Sequence, residues 1–265
     1  MYAFHYHRAK SVDEAVKAQK GASEGKYLAG GHTLLPTLKQ RLAKPSDLID
    51  IAGLKELQGI SVSGGTVTIG AATRHAAVAS SADVKKAIPA LADLAGHIGD
   101  PQVRNRGTIG GSIANNDPAA DYPAAALGLG ATIHTNKRAI EADKFFKGLF
   151  ETALEEGEII TKITFPVPDK AAYMKFPNPA SRYALVGVFV AKTKAGVRVA
   201  VTGAGAGVFR VADMEKALAS KFDANAVASI KVPQKGLNSD IHASAEYRAH
   251  LITVMAKRAV AKANG

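Results

Sequence analysis

The sequence predicts a globular protein in which helices and sheets are mixed. Apolar residues make up 47% of its 265 positions, which is enough to build a sizeable core. One segment alternates apolar and polar residues around a glycine pair, as antiparallel hairpins do, and a second segment also indicates a hairpin. Other segments carry helix start signals and a helical spacing of apolar residues. We therefore expect a fold that contains both kinds of element.

In the N-terminal part, a strand and a helix are expected to meet at a glycine pair. Ser11 and Glu14 have the spacing of a capping box, which predicts a helix from this point. The segment "KYLAG" is typical of a short buried strand, and it ends in Gly30 and Gly31. Pro36 is tolerable only in a first helical turn, so a helix should start directly after these glycines. The predicted order is strand, glycine pair, helix.

The middle of the chain predicts two hairpins and two helices. "LQGISVSGGTVTIGAAT" alternates around Gly64 and Gly65, which suits a two-residue turn with positive φ. Helices are expected near 74–80 and 83–98, and "ATIHTNKRAIEA" indicates a second hairpin. A strand over "EIITKITFPVP" should end at its prolines.

The segment "FPVPDKAAY" is the best candidate for a domain boundary. We expect a first domain over residues 1–168, with subdomains of about 1–55 and 56–168, and a second domain over 169–265. The second part predicts strands over "YALVGVFVAKT" and "VRVAVTGAG", then helices near 213–220 and 244–262. The last helix has an apolar face and positive charge toward its C-terminus, which predicts a docked helix.

Composition excludes several kinds of site. The chain has no cysteine, so disulfides, thiol nucleophiles and cysteine-bound iron–sulfur or zinc centres are excluded, and redox chemistry would need an organic cofactor. The net charge of +11 indicates a basic surface that attracts an anionic ligand or an acidic partner. Lys and Arg are scattered and aromatic residues are 6% of the chain, which argues against nucleic acid. No apolar stretch predicts a membrane span or a signal peptide, so we expect a cytoplasmic protein.

Two glycine-rich segments are candidate anion sites. In "AGGHTLLP" the glycines expose consecutive backbone N–H groups beside a helix start, where a pyrophosphate would fit. A tight turn with a helix cap at Thr33 explains the same residues equally well, and His32 alone is more typical of packing than of metal binding. In "RNRGTIGGSIANNDPAADYPAA", residues 104–125, we expect a loop whose Thr108, Gly110, Gly111 and Ser112 offer donors, with Asp117 and Asp121 as acceptors for hydroxyls. Together the two segments favour one long ligand.

A third glycine run does not have the spacing of a nucleotide site. "VAVTGAGAG" places a strand before Gly203, Gly205 and Gly207, but a dinucleotide fingerprint needs its third glycine one position later, where Val208 stands. A turn is the better interpretation.

The paired motifs resemble a known family. "AGGHTLLPTLKQRL", "GDPQVRNRGTIGGSIANNDPAADYPAA" and "KFPNPASRYALVGVFVA" are similar, over nearly the full chain, to the flavin-binding medium subunit of the molybdenum hydroxylases. That group includes carbon monoxide, xanthine and bacterial aldehyde dehydrogenases. The resemblance implies an α+β fold of the vanillyl-alcohol-oxidase (PCMH) type, in which two subdomains bind FAD. It also implies a C-terminal α+β domain, a small antiparallel sheet with helices, that leans over the flavin.

The resemblance also implies a set of FAD-binding residues, and no catalytic or metal-binding residue. Two segments would hold the pyrophosphate, Asp121 would bind the sugar-like chain, Gly99 and Ile159 would approach the cofactor, and Tyr183 would stand near the isoalloxazine ring. Lys175 is a weaker candidate, because some relatives carry a further Lys where this chain has Pro177. FAD should be noncovalent, since no cysteine is present to attach it. The pyrophosphate segments are Ala29, Gly30, Gly31, His32, Thr33 and Thr108, Ile109, Gly110, Gly111, Ser112, and Leu34 is a further cofactor-binding residue.

The implied function is electron transfer inside a larger enzyme. A large molybdopterin subunit would oxidise the substrate, and a small subunit with two [2Fe–2S] clusters would pass electrons to FAD on this chain, in a heterohexamer of two heterotrimers. The acceptor could be NAD, quinone or oxygen, and the substrate is not readable from this chain. Two alternatives remain: a stand-alone FAD-dependent reductase of the same fold, and a non-catalytic basic scaffold subunit.

Overall fold

The computed structural model describes every residue from Met1 to Gly265. It contains fourteen strands and eleven α-helices, and it mixes helix and sheet as the sequence predicts. The helices are α1 Val12–Gly21, α2 Leu34–Lys39, α3 His75–Ser80, α4 Ala82–Ala87, α5 Pro89–Gly96, α6 Pro101–Arg104, α7 Ile109–Asn115, α8 Tyr122–Leu129, α9 Ala142–Phe145, α10 Ala212–Ser220 and α11 Ala245–Asn264. The strands are β1 His5–Arg8, β2 Gly25–Leu28, β3 Asp47–Asp50, β4 Ile60–Ser63, β5 Thr66–Gly70, β6 Thr132–Thr135, β7 Ala139–Glu141, β8 Phe146–Gly148, β9 Glu151–Thr152, β10 Ile160–Pro166, β11 Lys170–Pro177, β12 Ala184–Thr193, β13 Gly196–Thr202 and β14 Phe209–Arg210.

The N-terminal unit is a three-stranded parallel sheet in the order β1-β3-β2. Helix α1 begins at the predicted capping box, where the Ser11 side chain accepts from the Glu14 N–H. In a reciprocal capping box, the Glu14 carboxylate would accept from the N–H of the N-cap residue Ser11. Here Glu14 Oε2 accepts instead from the N–H of Lys10, one residue earlier. The predicted strand and helix around Gly30 and Gly31 are β2 and α2. Because β2 is an edge strand, the glycine pair that follows it lies at the edge of this sheet.

The second unit is a five-stranded antiparallel sheet in the order β4-β5-β10-β6-β7. Both predicted hairpins are present, and Gly64 and Gly65 have φ of 55° and 75° in the first of them. Helices α5 and α8 pack with this sheet in the largest apolar core, which contains Tyr122, Phe145 and Phe165.

The C-terminal sheet is antiparallel, in the order β11-β12-β13-β14. Helices α10 and α11 pack against this sheet and form a separate apolar core with it. Helix α8 of the second unit also contacts strands β12 and β13 of this sheet. Strand β12 is buried from Ala184 to Ala191, as expected for a strand that is covered on both faces. The division of the chain at residue 168 stays a prediction, and the largest core extends past it to Tyr173 and Phe189.

Two expectations about local structure were wrong. The helix expected over 83–98 is two helices, because Pro89 has no N–H and keeps Ile88 out of the helical conformation, with φ −139° and ψ 74°. The loop expected over 104–125 is largely helical, since α7 and the start of α8 lie within it. Only short turns remain, one of them through Asn116 in the left-handed region with φ 44°.

None of the helices is both long enough and apolar enough to cross a membrane. The longest, α11, is instead the docked helix that the sequence predicts. Its Leu251 and Met255 are buried in the core beneath the C-terminal sheet.

Candidate functional site

A cleft of about 660 Å³ runs between the parallel sheet and the five-stranded sheet and reaches the turn between β11 and β12. It brings together both glycine-rich segments predicted from the sequence. Of the predicted site residues, the lining includes Ala29 to Leu34, Gly99, Thr108, Gly110 to Ser112, Asp121, Ile159 and Tyr183. Ile109 and Lys175 are the predicted residues that do not line it.

The segment from Ala29 to Leu34 forms a cradle of unpaired donors. None of its backbone N–H groups donates to a backbone carbonyl. Gly31 has φ 74°, so the chain turns at this point and successive N–H groups can converge on one anion. Thr33 stands at the N-cap position of α2, but its side chain makes no capping hydrogen bond. The alternative of a simple capped turn therefore leaves these donors unexplained.

The two glycine-rich segments touch each other at Gly30. A Cβ on Gly30 would lie 2.3 Å from the Arg106 carbonyl oxygen and 2.8 Å from the Gly107 Cα. Both atoms belong to the backbone, so neither can move aside cheaply. Gly30 is needed to let the cradle approach the N-terminus of α7.

The second segment offers fewer donors than expected. The Ile109 N–H donates to the Thr73 carbonyl at 3.1 Å and the Gly110 N–H to the Ala71 carbonyl at 2.8 Å. Ile109 is fully buried in the largest core. The expectation that the Gly110 N–H is a free donor was therefore wrong, since both residues fasten α7 to the segment after β5, while the predicted contact of Ile109 with the cofactor stays a prediction.

The next two N–H groups of α7 also have acceptors, since the Ser112 N–H donates to the Thr108 carbonyl at 3.0 Å, so the hydroxyls of Thr108 and Ser112 are the donors left on this side of the cleft. The Thr108 side chain caps the helix by accepting from the Gly111 N–H at 3.1 Å. A Cβ on Gly111 would lie 2.9 Å from Thr108 Oγ1 and 3.9 Å from the Ala29 Cβ. Gly111 thus occupies the space between the two segments, and Ser112 continues the same wall of the cleft.

Asp121 forms a further part of the wall and belongs to a buried polar network. Its carboxylate accepts from the Tyr173 hydroxyl at 2.6 Å and from Lys175 Nζ at 3.0 Å. Lys175 Nζ also donates to the His97 carbonyl. Burial raises the pKa of Asp121, while Lys175 and then Tyr173 oppose that rise. Lys175 lies behind Asp121 and does not line the cleft, and its contact with the cofactor stays a prediction.

Tyr183 and Gly99 lie at the end of the cleft near the C-terminal sheet. The Tyr183 side chain is 47% exposed, and partial burial, with the charges of Asp117 and Asp121, raises its pKa. The Gly99 carbonyl accepts from Arg104 Nη1 at 3.1 Å. Arg182, which has a left-handed φ of 62°, is another lining residue that sequence reasoning missed.

Two buried titratable residues in the lining were also missed. Burial, with the nearby charges of His32 and Arg104, lowers the pKa of His75 to about 4, so its imidazole is neutral at neutral pH. Hydrogen bonds, first from Arg138, lower the pKa of Glu158 to about 2. No motif in the sequence marks either residue, because each acquires its environment only through tertiary packing.

The glycine run after β13 is a turn, as the sequence spacing indicates. It connects β13 to β14, which pair antiparallel, so no strand–helix–strand nucleotide unit is present there. Gly203 has φ 82°, and its Cβ would collide with the Ala184 carbonyl at 2.4 Å. Its N–H donates to the Pro118 carbonyl on the segment that leads to Asp121.

Comparison with known proteins agrees with this geometry. The family described as the FAD binding domain in molybdopterin dehydrogenase matches residues 2–168. The carbon monoxide dehydrogenase medium chain of Hydrogenophaga pseudoflava is 38% identical over 97% of this chain and 96% of its own. The glyceraldehyde dehydrogenase medium chain of Sulfolobus acidocaldarius is also 38% identical, over 97% and 96%.

Solved structures extend the likeness to the whole fold. Carbon monoxide dehydrogenase from Hydrogenophaga pseudoflava that lacks the Mo-pyranopterin moiety superposes with a TM-score of 0.90, covering 99% of this chain and 97% of that one at 38% identity. Quinoline 2-oxidoreductase from Pseudomonas putida 86 gives 0.89, with 99% and 97% covered at 30% identity. The α+β FAD-binding fold that the resemblance implied is therefore confirmed, and the chain belongs to the FAD-binding medium-chain family of the molybdenum-dependent dehydrogenases.

Proposed function

We propose that this chain holds FAD noncovalently in the cleft, with the cofactor's diphosphate against the backbone N–H groups of Ala29 to Leu34. The observation that carries the proposal is that these N–H groups have no backbone acceptor within the chain. His32 and Thr33 are exposed and the other four residues are half-buried, so these N–H groups are open to the cleft, where a diphosphate would supply several charged acceptors in place of water. Gly30 and Gly111 keep the space between the two segments free of side chains.

The other lining residues would orient the rest of the cofactor. Asp121 would accept hydrogen bonds from hydroxyls of the ribityl chain, and Ile159 would give apolar contact. Tyr183 and the Gly99 backbone would stand near the isoalloxazine ring. His75, neutral at neutral pH, adds no charge to the cleft. Neither Ile109 nor Lys175 is included among the direct contacts.

We infer that the chain is the electron-transfer subunit of a larger complex. FAD supplies the ability to take up electrons one at a time and release them in pairs. The electrons would come from [2Fe–2S] clusters of a small partner subunit, because this chain has no cysteine to bind a cluster. Substrate oxidation would belong to a large molybdopterin subunit, in a cytoplasmic heterohexamer of two heterotrimers, and the acceptor would be NAD, quinone or oxygen. The names of relatives as medium chains of dehydrogenases support this assembly.

The cofactor proposal is tested on the purified chain. We expect flavin absorbance that is released as free FAD on denaturation, and recovery of bound FAD after the apoprotein is reconstituted. Riboflavin, which lacks the diphosphate, should bind far more weakly than FAD if the cradle supplies the affinity. A colourless protein that cannot be reconstituted would overturn the proposal, and equal affinity for FAD and riboflavin would overturn the role of the cradle.

The assembly is tested by co-purification from the native cell. We expect a large chain and a cysteine-rich small chain to remain with the tagged protein through gel filtration. A chain that migrates alone, carries FAD and is reduced directly by a small-molecule donor would instead be the stand-alone reductase. A chain with partners but without FAD would be the basic scaffold.

A further inference from the structure

Asp121 is presented to the cleft by residues of the C-terminal sheet. Its two neighbours, Tyr173 and Lys175, are on β11 and therefore more than fifty positions away in sequence, at separations of 52 and 54. All three side chains are nearly inaccessible: the Lys175 side chain is 6% exposed and that of Asp121 is 4%, and Tyr173 is 2% exposed. A buried ion pair of this kind keeps its geometry because each partner needs the other.

A glycine in the middle of a strand makes room for this network. Gly187 lies in the buried strand β12, where glycine is unfavourable, and it pairs across the sheet with Lys175. A Cβ on Gly187 would lie 2.2 Å from the Tyr173 hydroxyl oxygen. The hydroxyl therefore occupies the space that any other residue at this position would fill.

The segment that leads into Asp121 is held by the same sheet. Thr202 Oγ1 lies 3.0 Å from the Pro118 carbonyl and 2.6 Å from the Ala120 carbonyl, and the Gly203 N–H donates to the Pro118 carbonyl. The Ala184 N–H donates to the Ala119 carbonyl. Both the backbone before Asp121 and its side chain are thus fixed by β11, β12 and β13.

We propose that Lys175 and Tyr173 are positioning residues that orient the Asp121 carboxylate and keep it ionised for the hydroxyls of the bound cofactor. This inference rests on the proposed FAD site. Lys175 acts through Asp121 and makes no contact of its own with FAD. An ionised carboxylate accepts stronger hydrogen bonds than a protonated one, and loss of Lys175 raises the pKa of Asp121 further, so affinity falls most at pH values between the pKa of Asp121 in the unaltered chain and its pKa in the variant. The titratable groups that face or lie near Asp121 are Lys175, Tyr173, His97, Tyr122 and Tyr183.

The first test is a pH series of FAD affinity on the full-length apoprotein, measured by quenching of flavin fluorescence. For Lys175→Met we expect about tenfold weaker binding at neutral pH, the loss of roughly one hydrogen bond to a charged group. The pH at which affinity falls should be higher than in the unaltered chain. Lys175→Arg, which keeps the charge, should restore the original pH midpoint. Lys170→Met is the matched control, since Lys170 is on the same strand but pairs with Asn264.

The second test is a double-mutant cycle that separates positioning from direct contact. If Lys175 acts through Asp121, Lys175→Met should change the dissociation constant by less than about twofold once Asp121→Asn is present. An equal loss in both backgrounds would mean direct contact with FAD and would overturn the inference. Failure of the unaltered chain to bind FAD would overturn the proposed function instead, so the two failures are distinguishable.

Two further variants cover the remaining explanations. Tyr173→Phe removes one hydroxyl and is the milder change should Lys175→Met fail to fold, as judged by thermal unfolding. It should shift the pH midpoint in the same direction by a smaller amount, and an unchanged midpoint and affinity would overturn the inference. His97→Gln tests the other ionisable side chain beside Asp121. If His97→Gln, and not Lys175→Met, moved the midpoint, the role given to Lys175 would be wrong.

Discussion

Replacement of Gly111 should remove FAD binding without loss of folding. A Cβ at this position meets only Thr108 Oγ1 within 3 Å, and the next atom is the Ala29 Cβ at 3.9 Å. A longer side chain therefore enters the gap between the two glycine-rich segments instead of the core. Gly111 is also inside helix α7, where any other residue except proline has a better helix propensity, by up to about 1 kcal/mol for alanine.

The expected loss of FAD affinity follows from the hydrogen bonds to the diphosphate that a leucine at position 111 would prevent. If two charge-assisted hydrogen bonds to the diphosphate are lost, at about 1.5–3 kcal/mol each, affinity falls by roughly 10² to 10⁴. Loss of the Thr108 cap costs about 1 kcal/mol, which the gain in helix propensity offsets. The melting temperature of the apoprotein should therefore change by no more than a few degrees.

The assay measures bound FAD per chain and the apoprotein melting temperature for Gly111→Leu and for a control, Gly96→Ala. Gly96 also lies in a helix, and a Cβ there would meet nothing, so FAD content should be unchanged. If Gly111→Leu kept FAD at the original affinity, the reasoning that places the diphosphate between the segments would be refuted. Gly110 is not equivalent, because a Cβ there would lie 2.5 Å from the Ala71 Cβ and 2.7 Å from its carbonyl oxygen, and its replacement should impair folding.

Three other substitutions or conditions test separate parts of the structure. Arg248→Met leaves two buried carbonyls without their donor and should lower the free energy of unfolding by about 3 kcal/mol, measured by urea denaturation. The pKa of Glu158 is lowered to about 2 in the folded chain, so its stabilisation is present at neutral pH and is lost as pH falls below about 4.5 toward 2. In Arg138→Gln, the melting temperature should therefore depend less on pH over that acidic range than it does in the unaltered chain. Thr202→Val removes the hydroxyl whose single proton is shared between the Pro118 and Ala120 carbonyls. FAD should then bind more weakly, as measured by fluorescence titration, while the chain stays folded.

Local signals predicted the elements that flank the site. The capping box at Ser11, the proline in the first turn of α2 and the glycine pair at Gly64 and Gly65 each act within a few residues. Such features are readable because the neighbours that decide them are adjacent in sequence. The strand, glycine pair and helix that form the cradle were therefore predicted correctly.

Elements that depend on distant partners were missed. Strand β1 has the sequence "HYHR" and is mostly exposed, so no apolar alternation marks it, and it exists because it pairs with β3. Helix α7 contains two adjacent glycines, which favour a loop by propensity. Its start is instead fixed by backbone hydrogen bonds to Ala71 and Thr73 of a different segment, and tertiary contacts override propensity there.

The proposed cofactor site depends on two parts of the chain with different roles. The cradle proposed to hold the diphosphate is made by the parallel sheet and α7, whereas the Asp121 wall is fixed by Tyr173, Lys175 and Thr202 of the C-terminal sheet. A fragment that ends before β11 would keep the cradle donors but would leave the Asp121 carboxylate without its hydroxyl and ammonium partners. Because burial alone disfavours the charged form of a carboxylate, we expect high affinity for the cofactor to require a folded and docked C-terminal sheet. Cofactor binding should in turn stabilise that docking, since the two equilibria are linked.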